Sequence, residues 1–227
     1  SMAKALIELE SGRLLNQYGI PIVVSEVLTE GSDAALAEAA EKTGFPVVMK
    51  ILSDDILHKT DLGCVKLNIS SPEEMKAAYK EIMDNAVKNA PDAEIQGVVV
   101  QQMLPKGFEV LLGVSTDPQF GQVIMVGLGG IYVELLQAVS LRIHPITRAD
   151  ANQMIDETPL SKACEGLRGV KYDREEIVDA LMNLSRLITD HPEITEIDVN
   201  PFVMFGDGRK AVGVDAMVIK QEQEEND

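Results

Sequence analysis

Three oxygen-bearing side chains near the end of the sequence could together bind a metal ion. Asp198 and Asn200 lie two residues apart in a segment that reads as a strand, and Asp215 follows the Gly206-Asp207-Gly208 turn. Residues two apart on a strand point to the same face, and a hairpin brings the returning strand close to them. Carboxylate and amide oxygens suit Mg²⁺ beside a nucleotide phosphate. The pattern favours a Mg²⁺ site, and the alternative that these are ordinary turn residues stays open.

A lysine and a histidine in the first half of the sequence could handle phosphate. Lys50 ends the apolar run that starts at Pro46, where its amine either faces a phosphate or simply reaches water. His58 opens a polar loop that ends at Gly63, and glycine lets backbone N–H groups approach phosphate oxygens. An imidazole can accept a phosphoryl group, although most loop histidines are only solvated.

Other charged and glycine-rich positions leave their role open. The stretch Gly127-Leu128-Gly129-Gly130 follows a predicted strand, but its spacing is not the dinucleotide-binding fingerprint. It fits either a flexible turn or a close approach of the backbone to a ligand. Glu109, Glu134 and Arg142 lie on or near apolar strands, and each fits a surface ion pair as well as a site.

Capping residues and hydrophobic periodicity predict the elements that must position these groups. A Gly-Ile-Pro sequence ends the first helix, Ser32 or Asp33 starts the second, and Ser71-Pro72 starts the third. The predicted helices cover 4–17, 33–44, 72–90, 147–156 and 173–189. The predicted strands cover 22–24, 46–51, 65–69, 97–103, 109–114, 122–126 and 139–143, before the final hairpin.

This order of elements predicts an α+β protein with two lobes. Mixed βα units come first and meandering strands follow, which is typical of that class. We expect a first lobe over 1–99, a second lobe over 100–222 that carries the metal-binding hairpin, and an acidic tail over 223–227.

Composition narrows the partners and the compartment. The formal net charge of -17 argues against nucleic acid and anionic membrane surfaces. No apolar run approaches the roughly 20 residues of a membrane span, and the start of the sequence does not read as a signal peptide. The two cysteines, Cys64 and Cys164, form no disulfide or metal pattern. We therefore expect a cytoplasmic protein.

Taken in order, several motifs resemble the ATP-grasp (β) part of ADP-forming acyl-CoA synthetases, in the succinyl-CoA synthetase superfamily. The resemblance runs from about residue 5 to residue 220. Its motifs are Tyr18-Gly19-Ile20-Pro21, Gly44-Phe45-Pro46-Val47-Val48-Met49-Lys50, Ile56-Leu57-His58-Lys59-Thr60-Asp61-Leu62-Gly63, Asp117-Pro118-Gln119-Phe120-Gly121, Gly127-Leu128-Gly129-Gly130 and Asp198-Val199-Asn200-Pro201.

The resemblance implies an ATP-grasp fold, in which two α/β lobes grip a nucleotide between antiparallel sheets. It implies that His58 is phosphorylated, that Asp198 orients the phosphohistidine, and that Asn200 and Asp215 bind Mg²⁺. The nucleotide contacts that it implies are Lys50, Gly63, Gln101, Gln102, Leu104 and Glu109. One position departs from the pattern: the family usually has a second glycine where this chain has Cys64, which would be strained if that position needed a positive φ.

The activity implied is the reversible conversion of acyl-CoA, ADP and phosphate into acid, CoA and ATP. The sequence carries no Rossmann-like CoA-binding fingerprint, so the resemblance places the acyl-CoA chemistry on a CoA-binding α subunit, as an α₂β₂ assembly, or on a fused domain. Two alternatives remain. One is a non-catalytic ATP-binding regulatory or interaction module, and the other is an ATP-grasp carboxylate–amine ligase, which would not need His58.

Overall fold

The computed structural model describes residues 2–130 and 138–221, and the chain forms two compact units. The first unit contains the described residues up to Leu9 together with Val23–Pro105, and the second contains Glu10–Ile22 together with the described residues from Lys106 onward. The boundary differs from the one that we predicted between 99 and 100, because that position lies inside a strand of the first sheet. The predicted acidic tail and Glu134 lie outside the described residues.

The first unit is a four-stranded antiparallel sheet with two helices packed against it. The strands take the order β1-β4-β2-β3. The elements are β1 (Ser25–Leu28), α2 (Asp33–Thr43), β2 (Val47–Leu52), β3 (Val65–Ile69), α3 (Pro72–Asn89) and β4 (Gly97–Gln102). Alternate strand residues such as Met49 and Val100 are fully buried against helix residues such as Met75 and Ile82, so only one face of this sheet belongs to the core.

The helix boundaries of the first unit follow from local capping chemistry. The hydroxyl of Ser32 accepts a hydrogen bond from the Ala35 N–H, and Gly44 ends the helix with a φ of 71°. The hydroxyl of Ser71 accepts from the Glu74 N–H at 3.1 Å. Each cap satisfies backbone groups that a helix end leaves unpaired, and the predicted starts of both helices are confirmed.

The second unit contains the larger sheet, whose strands are also antiparallel and follow the order β10-β8-β5-β6-β7, with β9 paired to β8. The strands are β5 (Phe108–Asp117), β6 (Gly121–Leu128), β7 (Val139–Ile143), β8 (Ile194–Met204), β9 (Val212–Gly213) and β10 (Ala216–Lys220). The helices are α4 (Arg148–Asp156), α5 (Leu160–Glu165) and α6 (Arg174–Asp190), joined by the second half of α1 (Met2–Gln17). Their apolar faces and one face of the sheet form the second core.

Residues near the start of the chain complete the second unit. Leu15 and Ile20 are fully buried in its core, and the Ser11 hydroxyl accepts a hydrogen bond from the Val218 N–H at 2.9 Å. The predicted strand at 22–24 is wrong, because Ile22 forms only an isolated bridge to Gly213 and the strand begins at Ser25. Within the described ranges, no helix has both the length and the apolar character to cross a membrane.

Candidate functional site

In β8, buried apolar residues alternate with polar ones. Ile197 and Val199 are buried in the core of the second unit, whereas Glu196 and Asp198 are exposed and Asn200 is half-buried. Since successive strand residues point to opposite faces, Asp198 and Asn200 share the face turned away from the core. The predicted arrangement of these two side chains is confirmed.

Asp215 lies beside Asn200, as the hairpin prediction required, but in a bend between β9 and β10 instead of on a strand. The Asn200 N–H donates to the Asp215 carbonyl at 3.2 Å, and Ala216 pairs with Val199. A second backbone bond, from the Val214 N–H to the Pro201 carbonyl at 3.0 Å, holds the bend in place. The structure thus brings the three predicted oxygen donors together near the middle of β8, where its pairing changes from β10 to β9.

A glycine fixes the side-chain amide of Asn200. The Gly130 N–H donates to Asn200 Oδ1 at 2.8 Å, and the preceding Gly129 N–H donates to the Glu109 carbonyl at 2.9 Å. Gly130 has a φ of 66°, and a Cβ at this position would overlap the Glu109 carboxylate. The glycine-rich stretch therefore brings the backbone close to two predicted site residues, Glu109 and Asn200.

The electrostatics of this group favour a cation. Loss of hydration raises the pKa of Asp198, and the neighbouring carboxylates of Glu196 and Asp215 raise it further. Like charges this close disfavour one another's ionisation, and a bound cation would relieve that repulsion. The described residues contain no cluster of three or more His, Cys, Asp or Glu side chains suited to a metal. Asn200 and Asp215 carry hard oxygen donors of the kind that Mg²⁺ prefers, so these two residues could hold it.

In the first unit, Lys50 and Gln101 lie on the face of the sheet that is turned away from its core. Lys50 is half-buried and pairs with Val99, and Gln101 pairs with Val48 two residues along β2. Gln102 follows Gln101 directly on β4, so its side chain points to the opposite face. The structure thus groups Lys50 with Gln101 and separates the side chain of Gln102 from both.

The remaining predicted nucleotide contacts occupy different surroundings. Leu104 is half-buried in the segment after β4, where the Met103 N–H donates to the Pro46 carbonyl at 2.9 Å. Glu109 is exposed on β5 of the second unit. Gly63, with a φ of 71°, is the second-last residue of the loop that contains His58 in the first unit.

His58 is exposed in the loop of residues 53–64, which joins β2 to β3 and which we call the histidine loop. Ile56 and Cys64, on either side of the histidine, are buried in the first core. Among the described residues, Asp61 forms no ion pair with His58, so this carboxylate does not fix the imidazole tautomer here.

Side-chain hydrogen bonds anchor both ends of the histidine loop. At its end, Asn85 Nδ2 donates to the Gly63 carbonyl at 2.8 Å and Asn89 Nδ2 donates to the Leu62 carbonyl at 3.0 Å. At its start, Asp55 Oδ2 accepts from the Glu94 N–H at 2.8 Å. We did not predict the two asparagines from the sequence, because polar residues on a helix surface follow no distinctive pattern.

Cys64 fits its position without strain. Gly63 supplies the positive φ of this turn, and Cys64 is not among the non-glycine residues with positive φ. Its side chain is fully buried, and burial raises the pKa of its thiol. The difference from the family pattern therefore adds a packed side chain and leaves the backbone path of the loop unstrained.

Arg142, which the sequence left open, has a structural partner. Its guanidinium forms an ion pair with Glu157, which also accepts a hydrogen bond from the Ser140 hydroxyl at 2.6 Å. The hydrogen bonds from Arg142 and Ser140 lower the pKa of Glu157 to about 2. The ion pair thus links β7 to Glu157, the residue directly after α4.

Comparisons with known sequences and structures agree with one another. A sequence profile described as an ATP-grasp domain matches residues 1–219. The chain is 48% identical over 217 residues to the β subunit of ADP-forming acetate–CoA ligase II from Pyrococcus furiosus. The aligned region covers 95% of this chain and 91% of that protein.

Two solved structures of a dinucleotide-forming acetyl-coenzyme A synthetase 1 from Ca. Korarchaeum cryptofilum are also similar. One is 38% identical with a TM-score of 0.79, covers 94% of this chain and 92% of that chain, and holds CoA, acetyl-CoA and a phosphorylated phosphohistidine segment in a site I orientation. The other is 37% identical with a TM-score of 0.76 and the same coverage. It holds CoA and Mg-AMPPCP, and its phosphohistidine segment points towards the nucleotide binding site. These findings confirm the resemblance and the fold class that we predicted.

Proposed function

The chain belongs to the ATP-grasp family, and from this premise we propose that it is the nucleotide-binding β subunit of an ADP-forming acyl-CoA synthetase. It transfers a phosphoryl group between ATP or ADP and His58, coupled to the interconversion of acyl-CoA and acid. The observation that carries the proposal is the exposed His58 in an anchored loop that follows the strand of Lys50.

The transfer at His58 is a direct displacement at phosphorus. One imidazole nitrogen forms the N–P bond to the γ-phosphoryl group as the P–O bond to ADP breaks, and the reverse step regenerates ATP. Such a step depends on positioning and charge neutralisation more than on other covalent chemistry. The Lys50 ammonium is a point charge suited to phosphate oxygens, which matters in a chain with a net charge of -17.

Each predicted site residue takes a role in this proposal. Asn200 and Asp215 bind Mg²⁺, which neutralises phosphate charge when it is bound, and Asp198 orients the phosphohistidine. The residues that bind the nucleotide are Lys50, Gly63, Gln101, Gln102, Leu104 and Glu109. Gln102 does so through its backbone, because its side chain points away from the face that Lys50 and Gln101 share.

The acyl-CoA half of the reaction belongs to a CoA-binding α subunit or a fused domain, and we propose an α₂β₂ assembly. Two observations support this proposal. The sequence contains no Rossmann-like CoA-binding fingerprint, and a relative that matches over 91% of its length is itself named a β subunit.

Phosphorylation of His58 is the test of the proposal. We expect incubation with γ-labelled ATP and Mg²⁺, with and without the α subunit, to place an acid-labile, base-stable label on the chain. The label should be lost in His58→Asn and kept in His191→Asn, a control in which the altered ring is half-buried and bonded to Glu193.

The alternatives give different results in the same experiment. Nucleotide binding with no label under either condition would favour a non-catalytic binding module. Ligase activity that survives His58→Asn would favour a carboxylate–amine ligase.

The metal assignment has its own test. Asp215→Asn should weaken Mg²⁺-dependent nucleotide binding by roughly tenfold or more, since loss of metal-site groups typically costs 10–100-fold. Metal-free nucleotide binding should change less. Asp207→Asn, in the exposed turn before β9, is the matched control. Equal losses with and without Mg²⁺ would contradict the assignment of Asp215.

A further inference from the structure

We propose that Asn85 and Asn89 form a latch that holds the histidine loop in one orientation and so controls how readily His58 leaves it. The inference rests on the proposed function, because it concerns the step in which His58 moves from the nucleotide, the phosphoryl donor, to the site on the partner that accepts the phosphoryl group. It assigns a positioning role to two residues that do not themselves react.

The geometry of the latch is specific to the loop. Asn85 and Asn89 are four residues apart on α3, so they lie on the same face of the helix. Their amides donate to the carbonyls of two consecutive loop residues, Gly63 and Leu62, at 2.8 Å and 3.0 Å. A side chain at Gly63 would overlap the Asn85 amide, so glycine lets the loop backbone lie directly against the helix.

The two hydrogen bonds of the latch can be broken at modest cost. Asn89 is exposed and Asn85 is half-buried, so water can replace both donors when the loop moves. Nearer to the histidine, backbone bonds from the Leu62 N–H to the His58 carbonyl at 3.3 Å and from the Cys64 N–H to the Lys59 carbonyl at 2.8 Å keep the tip folded. Once the two amides release the backbone, the tip between the buried Ile56 and Cys64 can therefore move as a unit.

We assign the latched state to the orientation that faces the nucleotide. The latched end continues into Cys64, whose carbonyl accepts from the Ile51 N–H at 3.0 Å, and Ile51 is next to Lys50. One related structure has its phosphohistidine segment in a site I orientation, and another has it pointing towards the nucleotide binding site. Opening of the latch is then the first event in delivery of the phosphoryl group to the partner.

Cys64 reports on the latch independently of the chemistry. Its thiol is fully buried between the loop and α3, with Sγ 3.6 Å from the Leu62 carbonyl oxygen and 3.9 Å from the Ile82 carbonyl oxygen. An alkylating reagent reaches it only when the loop opens. Cys164, buried in the second unit, is an internal reference in the same molecule.

The experiment compares Asn85→Ala, Asn89→Ala and the double variant with Lys88→Ala, an exposed neighbour on the same helix. Peptide mass spectrometry follows alkylation of both cysteines by iodoacetamide. Each lost hydrogen bond should speed alkylation of Cys64 roughly two- to tenfold, while Cys164 and the Lys88→Ala variant keep the wild-type rate.

The half-reactions separate positioning from general damage. Labelling of His58 by ATP should slow in the double variant. Loss of label from the phosphorylated chain should not slow: on the α subunit the phosphoryl group passes to the carboxylate of the acid and leaves as inorganic phosphate when the CoA thiol forms acyl-CoA. A merely structural role would slow both steps together and would overturn the inference. If the wild type is labelled normally but the double variant shows unchanged alkylation of Cys64, the latch is overturned and the proposed function stands. A wild-type chain that takes no label would defeat the proposed function, and the latch with it.

Discussion

The oxygen donors of the second unit and the histidine loop of the first unit are held in opposite ways. Asp198 and Asn200 lie on a central strand that is paired on both sides. A backbone bond places Asp215 beside Asn200, and the Gly130 N–H donates to the Asn200 side chain. His58 lies in a loop whose end is held by two side-chain amides. Backbone ladders are cooperative, whereas single side-chain bonds exchange readily with water.

The difference matches two chemical tasks. A metal site needs fixed ligand positions, because Mg²⁺ tolerates little deviation from octahedral geometry. A group that carries a phosphoryl moiety between two partners must be able to move, and its anchors must be weak enough to release. The four predictions below are in order of decreasing effect: the first alters the strand that leads into the histidine loop, and the others each alter one side of this contrast.

The largest effect is expected from Lys50→Ala, which removes a strand-borne charge. Nucleotide binding should weaken about 10–100-fold, since a hydrogen bond to a charged group contributes about 1.5–3 kcal/mol. Calorimetric titration with ATP measures this, with Lys66→Ala on the adjacent strand as control because that amine pairs with Glu81 at 2.6 Å. The unliganded melting temperature and the alkylation rate of Cys64 should hardly change; a large loss of stability would show a core role instead.

Gly130→Ala should damage the fixed group of the second unit. The new Cβ meets the Glu109 carboxylate at a φ of 66° and displaces the N–H that holds Asn200. Strain of this kind costs about 1–3 kcal/mol, and Mg²⁺-dependent nucleotide binding should weaken with it. Gly121→Ala is the control: the φ is 79° but no atom lies within 4 Å of the added Cβ. Urea unfolding should show a lower stability for this variant, and its Mg²⁺-dependent nucleotide binding should stay unchanged. Identical behaviour of the two variants would argue against a role for the Gly130 contact.

Cys64→Gly should loosen the histidine loop although it restores the glycine usual in the family. Removing a fully buried side chain and adding backbone freedom should cost about 1–2 kcal/mol. Chemical denaturation measures the loss, and hydrogen exchange of residues 53–64 should rise. Cys164→Ala in the second unit should lower stability while leaving exchange in the loop unchanged. A stabilised Cys64→Gly variant would mean that the packing of this thiol is unfavourable.

The smallest effect concerns the carboxylates of β8. The pKa of Asp198 is raised above its ordinary 3.8 by lost hydration and by Glu196 and Asp215, so the native state is favoured when Asp198 is protonated. That contribution is present below pH 3.8 and is lost as the pH rises through the folded pKa. Without metal, Asp198→Asn should therefore be more stable than wild type at pH 7, by no more than about 1 kcal/mol because water screens exposed carboxylates.

The pH and metal dependence of melting temperature checks this prediction. The difference between Asp198→Asn and wild type should disappear near pH 3 and narrow when Mg²⁺ is added. Asp207→Asn, at an exposed turn, is the control. A wild type that is more stable than the variant at pH 7 without metal would contradict the electrostatic argument.

Local chemistry allowed much of this structure to be predicted. The helix caps at Ser32 and Ser71 and the alternation of buried and exposed residues around Asp198 depend only on residues close in sequence. They could therefore be inferred from the sequence. The motifs around Lys50 and His58 were recognised through resemblance, which named residues without giving their contacts.

What the sequence did not reveal depends on packing between distant segments. The short helix α5 was missed, since Pro159 precedes it without a side-chain cap. The latch joins residues more than 20 apart, and no local pattern marks Asn85 or Asn89. Opposite orientations of Gln101 and Gln102 follow from strand pairing, which the resemblance alone did not specify.

The hydrogen bond between Ser11 and Val218 has a consequence for anyone who dissects this protein. It joins Glu10–Ile22 to the carboxyl-terminal residues of the second unit, to which both segments belong. A recombinant fragment that begins at Lys106 would lack Leu15 and Ile20 and leave their apolar sockets open to water, which favours aggregation. The units therefore cannot be exchanged as modules by a single gene cut, and a permuted or transplanted version would have to carry the amino-terminal segment along with the carboxyl-terminal half.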